Sequence, residues 1–233
     1  MKNNFFAILI ALVVVGCSKA PTDKYIGYKY LGAKYVNEPL GEEKLPDTDP
    51  LIRFDAFDCV TFVETSLADG DLEKLTKIRY KDGNIDFVNR NHFTELDWVQ
   101  NNKDIVENIS NKYGKTKFRE FIVDKQSWFK TVHNIDVKVP QQSGKLEYIP
   151  YAELQDITTD KPLVVLFVIN NPNLVKKIGT DISVAHLGFL LPNGMLRHAS
   201  SQHGRVLDVD FKEYVNERMK NKNNLGIALL KIK

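Results

Sequence analysis

Ser183-Val184-Ala185-His186-Leu187-Gly188-Phe189-Leu190-Leu191-Pro192-Asn193-Gly194-Met195-Leu196-Arg197-His198-Ala199-Ser200 reads as two strands joined at Pro192-Asn193-Gly194. Apolar runs of strand length on both sides of a Pro-Asn-Gly cluster are a hairpin signal. Between 184 and 191 the only polar side chain is His186. Loop length decides what the hairpin can do. With a three-residue loop, Leu191 pairs with Met195 and position 200 falls opposite 186. His198 is then the diagonal neighbour of His186 on the same face, roughly 7–8 Å away between Cα atoms. A two-residue loop flips the parity and turns His198 to the other face. In the first register His198 can hydrogen-bond one nitrogen of His186 and aim the other at a nucleophile. A lone histidine in an apolar strand is more often a satisfied core group; the second histidine on the returning strand shifts the reading toward chemistry.

Other strand-like runs surround this hairpin: Leu163–Ile169, Val206–Val209 and Ile227–Ile232, with a short helix over Phe211–Met219. The first half is more helical. Val60, Val63 and Leu67 recur at helical spacing behind Asp58, a plausible N-cap, which predicts a helix over about 59–68. Helical patterns follow around 94–112 and 118–132. Ile78–Tyr80 and Ile85–Phe87 flank Lys81-Asp82-Gly83-Asn84 as a candidate hairpin, and Glu147–Ile149 reads as a short strand. Helices early and strands late, with short links, predict an α+β fold: a mainly antiparallel sheet packed on the 59–68 helix, with a mixed helical and hairpin insertion at roughly 70–160.

That helix begins with Cys59, in Phe57-Asp58-Cys59-Val60-Thr61-Phe62-Val63-Glu64. A thiol attacks as its thiolate, and a helix N-terminus favours the negative charge. The position therefore predicts a depressed thiol pKa. The base must come from elsewhere in the chain, and His186 is the candidate.

The only other cysteine is Cys17. It follows Lys2 and the unbroken apolar run Phe5–Val15, which falls short of the roughly 20 residues that span a bilayer but suits a signal-peptide core. Val14-Val15-Gly16-Cys17 resembles a bacterial lipobox, which implies cleavage before Cys17 and lipidation of it; the alternative is an ordinary signal peptide with a chance cysteine. Two or more acyl chains hold a protein on a membrane. The expected organisation is a signal peptide at 1–16, a lipidated tether at 17–24 and one catalytic domain at 25–233. The expected location is the cell envelope, on the periplasmic face of the outer membrane. With 32 basic and 30 acidic residues in dispersed positions, the chain carries no nucleic-acid footprint.

Asp58-Cys59, His186-Leu187-Gly188 and His198-Ala199-Ser200-Ser201, in that order, resemble the NlpC-type cysteine peptidases, a papain-like superfamily acting on peptidoglycan. More narrowly, Phe57–Glu64, Ile78-Arg79-Tyr80-Lys81-Asp82-Gly83, Arg90-Asn91-His92-Phe93 with Asp97-Trp98, and Tyr148-Ile149-Pro150 resemble the N-acetylmuramoyl-L-alanine amidase-like branch. The resemblance implies Cys59 as nucleophile, His186 as base and His198 as its orienting partner. It implies Tyr35 and the Cys59 amide at the oxyanion, and a cleft to which Asp58, Glu64, Arg90, His92 and Ser200 contribute. The implied reaction is cleavage between N-acetylmuramic acid, the 1,6-anhydro form included, and L-alanine in peptidoglycan or muropeptides. No cofactor or metal is required. Two alternatives stand beside it: an endopeptidase cutting between D-glutamate and the diamino acid of the stem, and a lipoprotein that binds muropeptides without cleaving them.

Other residues carry plainer readings. Arg90 and His92 can equally belong to an ion-pair network with Glu95 or Asp97, and Glu64 can be a structural charge. Trp98 and Trp128 read as core before they read as sugar-stacking platforms. His133 and His203 read as surface residues. Cys59, His186 and His198 lack the further carboxylate or histidine at ligand spacing that a zinc amidase adds.

Overall fold

The computed structural model describes residues 25–40 and 52–233, so the readings of residues 1–24, Cys17 included, lie outside the described residues. In chain order the elements are β1 (Lys34–Tyr35), β2 (Ala56–Phe57), α1 (Cys59–Ala68), α2 (Leu72–Arg79), α3 (Val99–Asn101), β3 (Val106–Asn108), β4 (Lys117–Val123) and α4 (Lys125–Trp128). There follow β5 (Gln142–Pro150), β6 (Leu163–Ile169), α5 (Pro172–Ile178), β7 (Val184–Leu190), β8 (Met195–Ser200), β9 (Arg205–Asp210), α6 (Phe211–Met219) and β10 (Asn224–Ile232). The strands form one sheet in the order β2-β1-β9-β8-β7-β6-β10-β5-β4, with β3 also pairing β10. Every pairing is antiparallel except β1 with β2. The architecture is the expected α+β fold.

Alternation along the central strands gives the sheet two apolar faces. Val164, Leu166 and Val168 of β6 and Ala228 and Leu230 of β10 pack toward α1, where Phe62, Val63 and Leu67 meet Phe189 and Leu187 of β7. Leu163, Val165 and Phe167 point the other way, with Ile227, Leu229, Leu190 and Leu196, and are covered by Phe211 and Val215 of α6. A strand buried on both faces reads as a continuous apolar run, which is why β6 carries no polar residue.

The region between α1 and β6 departs from its expected form. Residues 78–80 are not a strand: Asp71 caps α2 by accepting from the Lys74 amide, and Leu75 and Ile78 bury one helical face. The 78–87 hairpin is replaced by that helix and two short turns, with a single bridge between Tyr80 and Arg90. The expected helix over 118–132 is half strand. β4 pairs β5 at seven positions, burying Phe121 and Val123 and leaving Phe118 and Ile122 exposed, so two-residue alternation prevails over the helical pattern. Of the 94–112 helix only the turns at 94–101 and 110–112 form, and Val106–Asn108 pairs β10 instead. The Glu147–Ile149 strand extends to Gln142–Pro150. α5, with Asn171 as N-cap, Pro172 at its start and Gly179 at φ 81° as its stop, carries the usual end signals although its apolar periodicity is weak.

Candidate active site

Cys59 is the first residue of α1. The Asp58 carboxylate accepts from the Thr61 amide at 2.7 Å and the Thr61 hydroxyl accepts from the Asp58 amide at 3.0 Å, a reciprocal box that fixes the helix start and so the direction of the thiol. Asp58 is therefore a capping residue first.

The sheet is split where α1 meets it. β7 and β8 pair only at Phe189–Arg197 and Leu190–Leu196, closed by the bond from the Leu191 amide to the Met195 carbonyl. Beyond that point β7 stays on β6 and β8 stays on β9, but they leave each other. Alternation of the ladder would give the Leu187 amide to β8. It faces the Cys59 sulfur instead, as do the Cys59 and Val60 amides. The N-terminus of α1 thus fills the gap between the two strands.

The three-residue loop of the first register is the one formed, and it places His198 opposite Gly188. Ala185 bulges out of β7, since Phe167 pairs with His186 but Val168 pairs with Val184. Regular alternation up to that bulge keeps His186 on the α6 face of the sheet, opposite Phe167, where its Nε2 lies 2.7 Å from Nδ1 of His198. Cys59 arrives from the α1 face, its sulfur against the amide of Leu187, the residue after His186. Gly188 makes room for the pair: a Cβ there would sit 2.7 Å from the Arg197 carbonyl oxygen and 2.9 Å from Cβ of His198. Gly188→Ala is expected to displace His198 and lower activity by about tenfold or more, measured as kcat with the melting temperature recorded alongside. Wild-type kcat in a folded Gly188→Ala protein would contradict this packing.

Nε2 of His186 is committed to His198, which leaves Nδ1 for the thiol. To receive a proton there, His186 must carry its hydrogen on Nε2 and donate it to His198 Nδ1. His198 then holds its own hydrogen on Nε2, a buried atom with no partner among the described residues. Burial, and then the neighbouring His198, push the His186 pKa well below 6.5; burial and then His203 bring His198 to about 4, against Asp208, which raises it. The pair is neutral at neutral pH. Because a depressed pKa favours the neutral form, the stability His198 contributes is complete above 6.5 and lost as the pH falls through about 4.

The thiol does not follow the sequence expectation. Burial, and then the Asp58 carboxylate, push Cys59 up to about 12, against the amides that face it. Part of the residue still reaches solvent. At rest the sulfur is a thiol, and its hydrogen-bond partners are the Leu187, Cys59 and Val60 backbone amides.

The remaining predicted residues divide. Tyr35, on β1, lies within electrostatic reach of Cys59 and Asp58, and burial raises its pKa. Arg90 and His92 line a cavity of about 150 Å³ together with Asp58, Val60, Trp128 and His133. His92 gives Nε2–H to the Phe87 carbonyl at 2.6 Å and is enclosed by Phe87, Trp128 and Phe129; burial, and then Arg90, bring its pKa to about 3. Glu64 does not open on this cleft. It is 1% exposed and paired with the equally buried Arg79 at 2.9 Å. Ser200 accepts from the His203 amide and meets its ring at 3.0 Å, closing the turn after β8. Trp98 is core, as expected, and His203 is exposed. His133 is not a surface residue: Phe87 and Trp128 rings bury it. Sequence reasoning missed Tyr214, on α6, whose ring lies 5.1 Å from that of His198 and 6.1 Å from that of His186. Its signal is faint, one aromatic three residues after Phe211 and next to Val215 on a short helix.

Among solved structures, a protein from Legionella pneumophila of the DUF1460 family shares 24% identity, covering 88% of this chain and 86% of its own, with a TM-score of 0.78. An N-acetylmuramoyl-L-alanine amidase from Bacteroides uniformis shares 24% identity, covering 89% of this chain and 95% of its own, with a TM-score of 0.68. These likenesses speak to the fold. Among curated proteins none matches the sequence. A family model described as AmiA-like, N-acetylmuramoyl-L-alanine amidase-like, matches residues 25–224. The cysteine at the helix start, the two bonded histidines and the split between β7 and β8 are thus set in a chain that belongs to the N-acetylmuramoyl-L-alanine amidase-like family.

Proposed function

We propose that the protein is a thiol-dependent cell-wall amidase that hydrolyses the amide between N-acetylmuramic acid and L-alanine in peptidoglycan fragments, the 1,6-anhydro form among them. The observation that carries this reading is the His186–His198 bond, set beside the split that admits the helix start bearing Cys59. A nucleophile, a base and a group that orients the base are the parts of acyl transfer.

Cys59 Sγ attacks the lactyl carbonyl as its proton passes to Nδ1 of His186, forming a carbon–sulfur bond and an oxyanion. The Cys59 amide and the Tyr35 hydroxyl stabilise that oxygen. The C–N bond breaks as His186 returns the proton to the amine of L-alanine, leaving a thioester. His186 then takes a proton from water, which attacks the thioester and frees the muramyl carboxylate and the thiol. His186 must start neutral, and its depressed pKa keeps it so to well below pH 6.5. Activity is therefore expected to persist on the acid side and to fall only when His186 is protonated. The high resting pKa of Cys59 predicts that alkylation by iodoacetamide keeps accelerating as pH rises from 6 to 9; a plateau within that interval would contradict a resting thiol.

We place the protein in the cell envelope, lipid-anchored through Cys17, on the periplasmic side of the outer membrane. The lipobox-like Val14-Val15-Gly16-Cys17 supports this reading. Digestion of defined muropeptides tests the cleavage site. Free sugar and a whole stem peptide are the expected products; a shortened stem still on sugar would indicate an endopeptidase, and an unchanged substrate a binding protein.

A further inference from the structure

The α6 face of the histidine pair carries a second layer. Phe167 stacks on His186 at 5.7 Å and 30°. Tyr214 stands edge-on to Phe167 at 5.1 Å and lies against both imidazoles. One turn further along α6, the Arg218 guanidinium sits 5.2 Å above the Phe167 ring and 6.0 Å from the Tyr214 ring. Arg218 donates to the Asn224 amide oxygen at 3.1 Å, and no carboxylate pairs with it among the described residues. Its half-buried cation lies against those two ring faces and the Asn224 amide, within reach of the Tyr151 and Tyr214 hydroxyls.

We propose that Tyr214 and Arg218 are positioning residues of this centre: Tyr214 holds the ring of His186 in the plane that meets the thiol, and Arg218, seated over the Phe167 ring that stacks on His186, adds a fixed positive charge beside the two imidazoles. The proposal rests on the assignment of Cys59 and His186 above.

Geometry carries the first half. His186 stands on a bulged strand that has lost its β8 partner, so its ring is fixed by His198, Phe167 and Tyr214 and by little else. Charge carries the second. The titratable groups around the pair are Cys59 on α1, His203 in the turn after β8, Asp208 on β9, and Tyr214 and Arg218 on α6. Among them Arg218 is the fixed cation, and it disfavours imidazolium on both histidines. It keeps His186 a competent base in acid and makes imidazolium a stronger acid toward the leaving amine.

The test is the pH profile of kcat/KM for muropeptide hydrolysis. Arg218→Leu is expected to move the acid limb to higher pH by roughly half a pH unit or more, and Arg218→Lys to return it toward the wild-type position. Tyr214→Ala is expected to lower kcat by about tenfold or more with KM within about twofold, whereas Tyr214→Phe keeps most of kcat. Arg218→Met serves with the same expectation if the leucine variant does not fold, as judged by circular dichroism. A wild-type acid limb in a folded Arg218→Leu or Arg218→Met protein overturns the role of Arg218; wild-type kcat in Tyr214→Ala overturns that of Tyr214. Cys59→Ala is assayed in parallel. Activity in that variant would defeat the assignment of the centre itself, whereas an inactive Cys59→Ala beside an unshifted limb defeats the positioning proposal alone.

Discussion

Cys59→Ala is expected to abolish muramyl–L-alanine hydrolysis, a loss of about four powers of ten or more, while leaving the unfolding temperature within a few degrees. The side chain is small and partly exposed, and the α1 cap is made by Asp58 and Thr61, so its removal costs the fold little. It removes the only atom placed to form the covalent bond. His186→Ala is expected to be nearly as damaging, because it removes the proposed base. His198→Ala should keep measurable activity, since it acts through the orientation of His186. Asparagine or glutamine at 198 should restore part of the loss, because either side chain can still accept from His186 Nε2. Equal loss in the asparagine, glutamine and alanine variants at 198 would contradict an orienting role. Inhibition by a zinc chelator, reversed by added zinc, would contradict the thiol mechanism.

Arg197→Leu is expected to have the largest effect on stability, about 3–5 kcal/mol, read from the urea midpoint. Arg197 is fully buried on β8, between the two histidine-bearing positions and the N-terminal segment. Its guanidinium is bidentate with Asp208 of β9 at 2.8 and 2.9 Å and also donates to the carbonyls of Tyr25 and Ile26 at 2.9 Å. Deleting it strands a carboxylate that is 11% exposed and leaves two carbonyls without this donor. Such a loss exceeds that of removing both partners, because the cost lies in the uncompensated charge. The double variant Arg197→Leu/Asp208→Leu should therefore recover part of the stability. A double variant less stable than Arg197→Leu alone would contradict this account.

The parts of the fold nearest the chemistry are those with local signals. The α1 start is written in Asp58-Cys59-Val60-Thr61, where the cap residue and the apolar spacing agree, and the helix runs from Cys59 to Ala68 as expected. Pro192-Asn193-Gly194 set the hairpin, and its loop length placed both histidines on one face. β6 and α6 were equally legible, one as a continuous apolar run and the other as a short helix between two strands. The split between β7 and β8 was not, because it depends on where α1 lands, and α1 is more than a hundred residues away in sequence. The sign of the Cys59 shift was misread for the same reason: the helix start is local, the burial that outweighs it is tertiary. Residues 70–140 were read poorly. Their pattern is broken by two five-residue π turns, at Thr94–Trp98 and Phe129–His133, whose spacing matches neither template. His133 and Glu64 were hard to place because their partners, a ring cluster and Arg79, come from segments that composition does not link to them.

The most direct test of the central claim is the mass of the covalent intermediate. The wild-type protein, which keeps both the thiol and the base needed for acylation, is mixed with a defined 1,6-anhydro muropeptide, quenched in acid within the first turnovers and digested for peptide mapping. A thioester on Cys59 bearing the muramyl acyl group, with the intact stem peptide released, is the predicted result. A stem-peptide acyl group on Cys59, or products released with no adduct on Cys59 at any time, would contradict it.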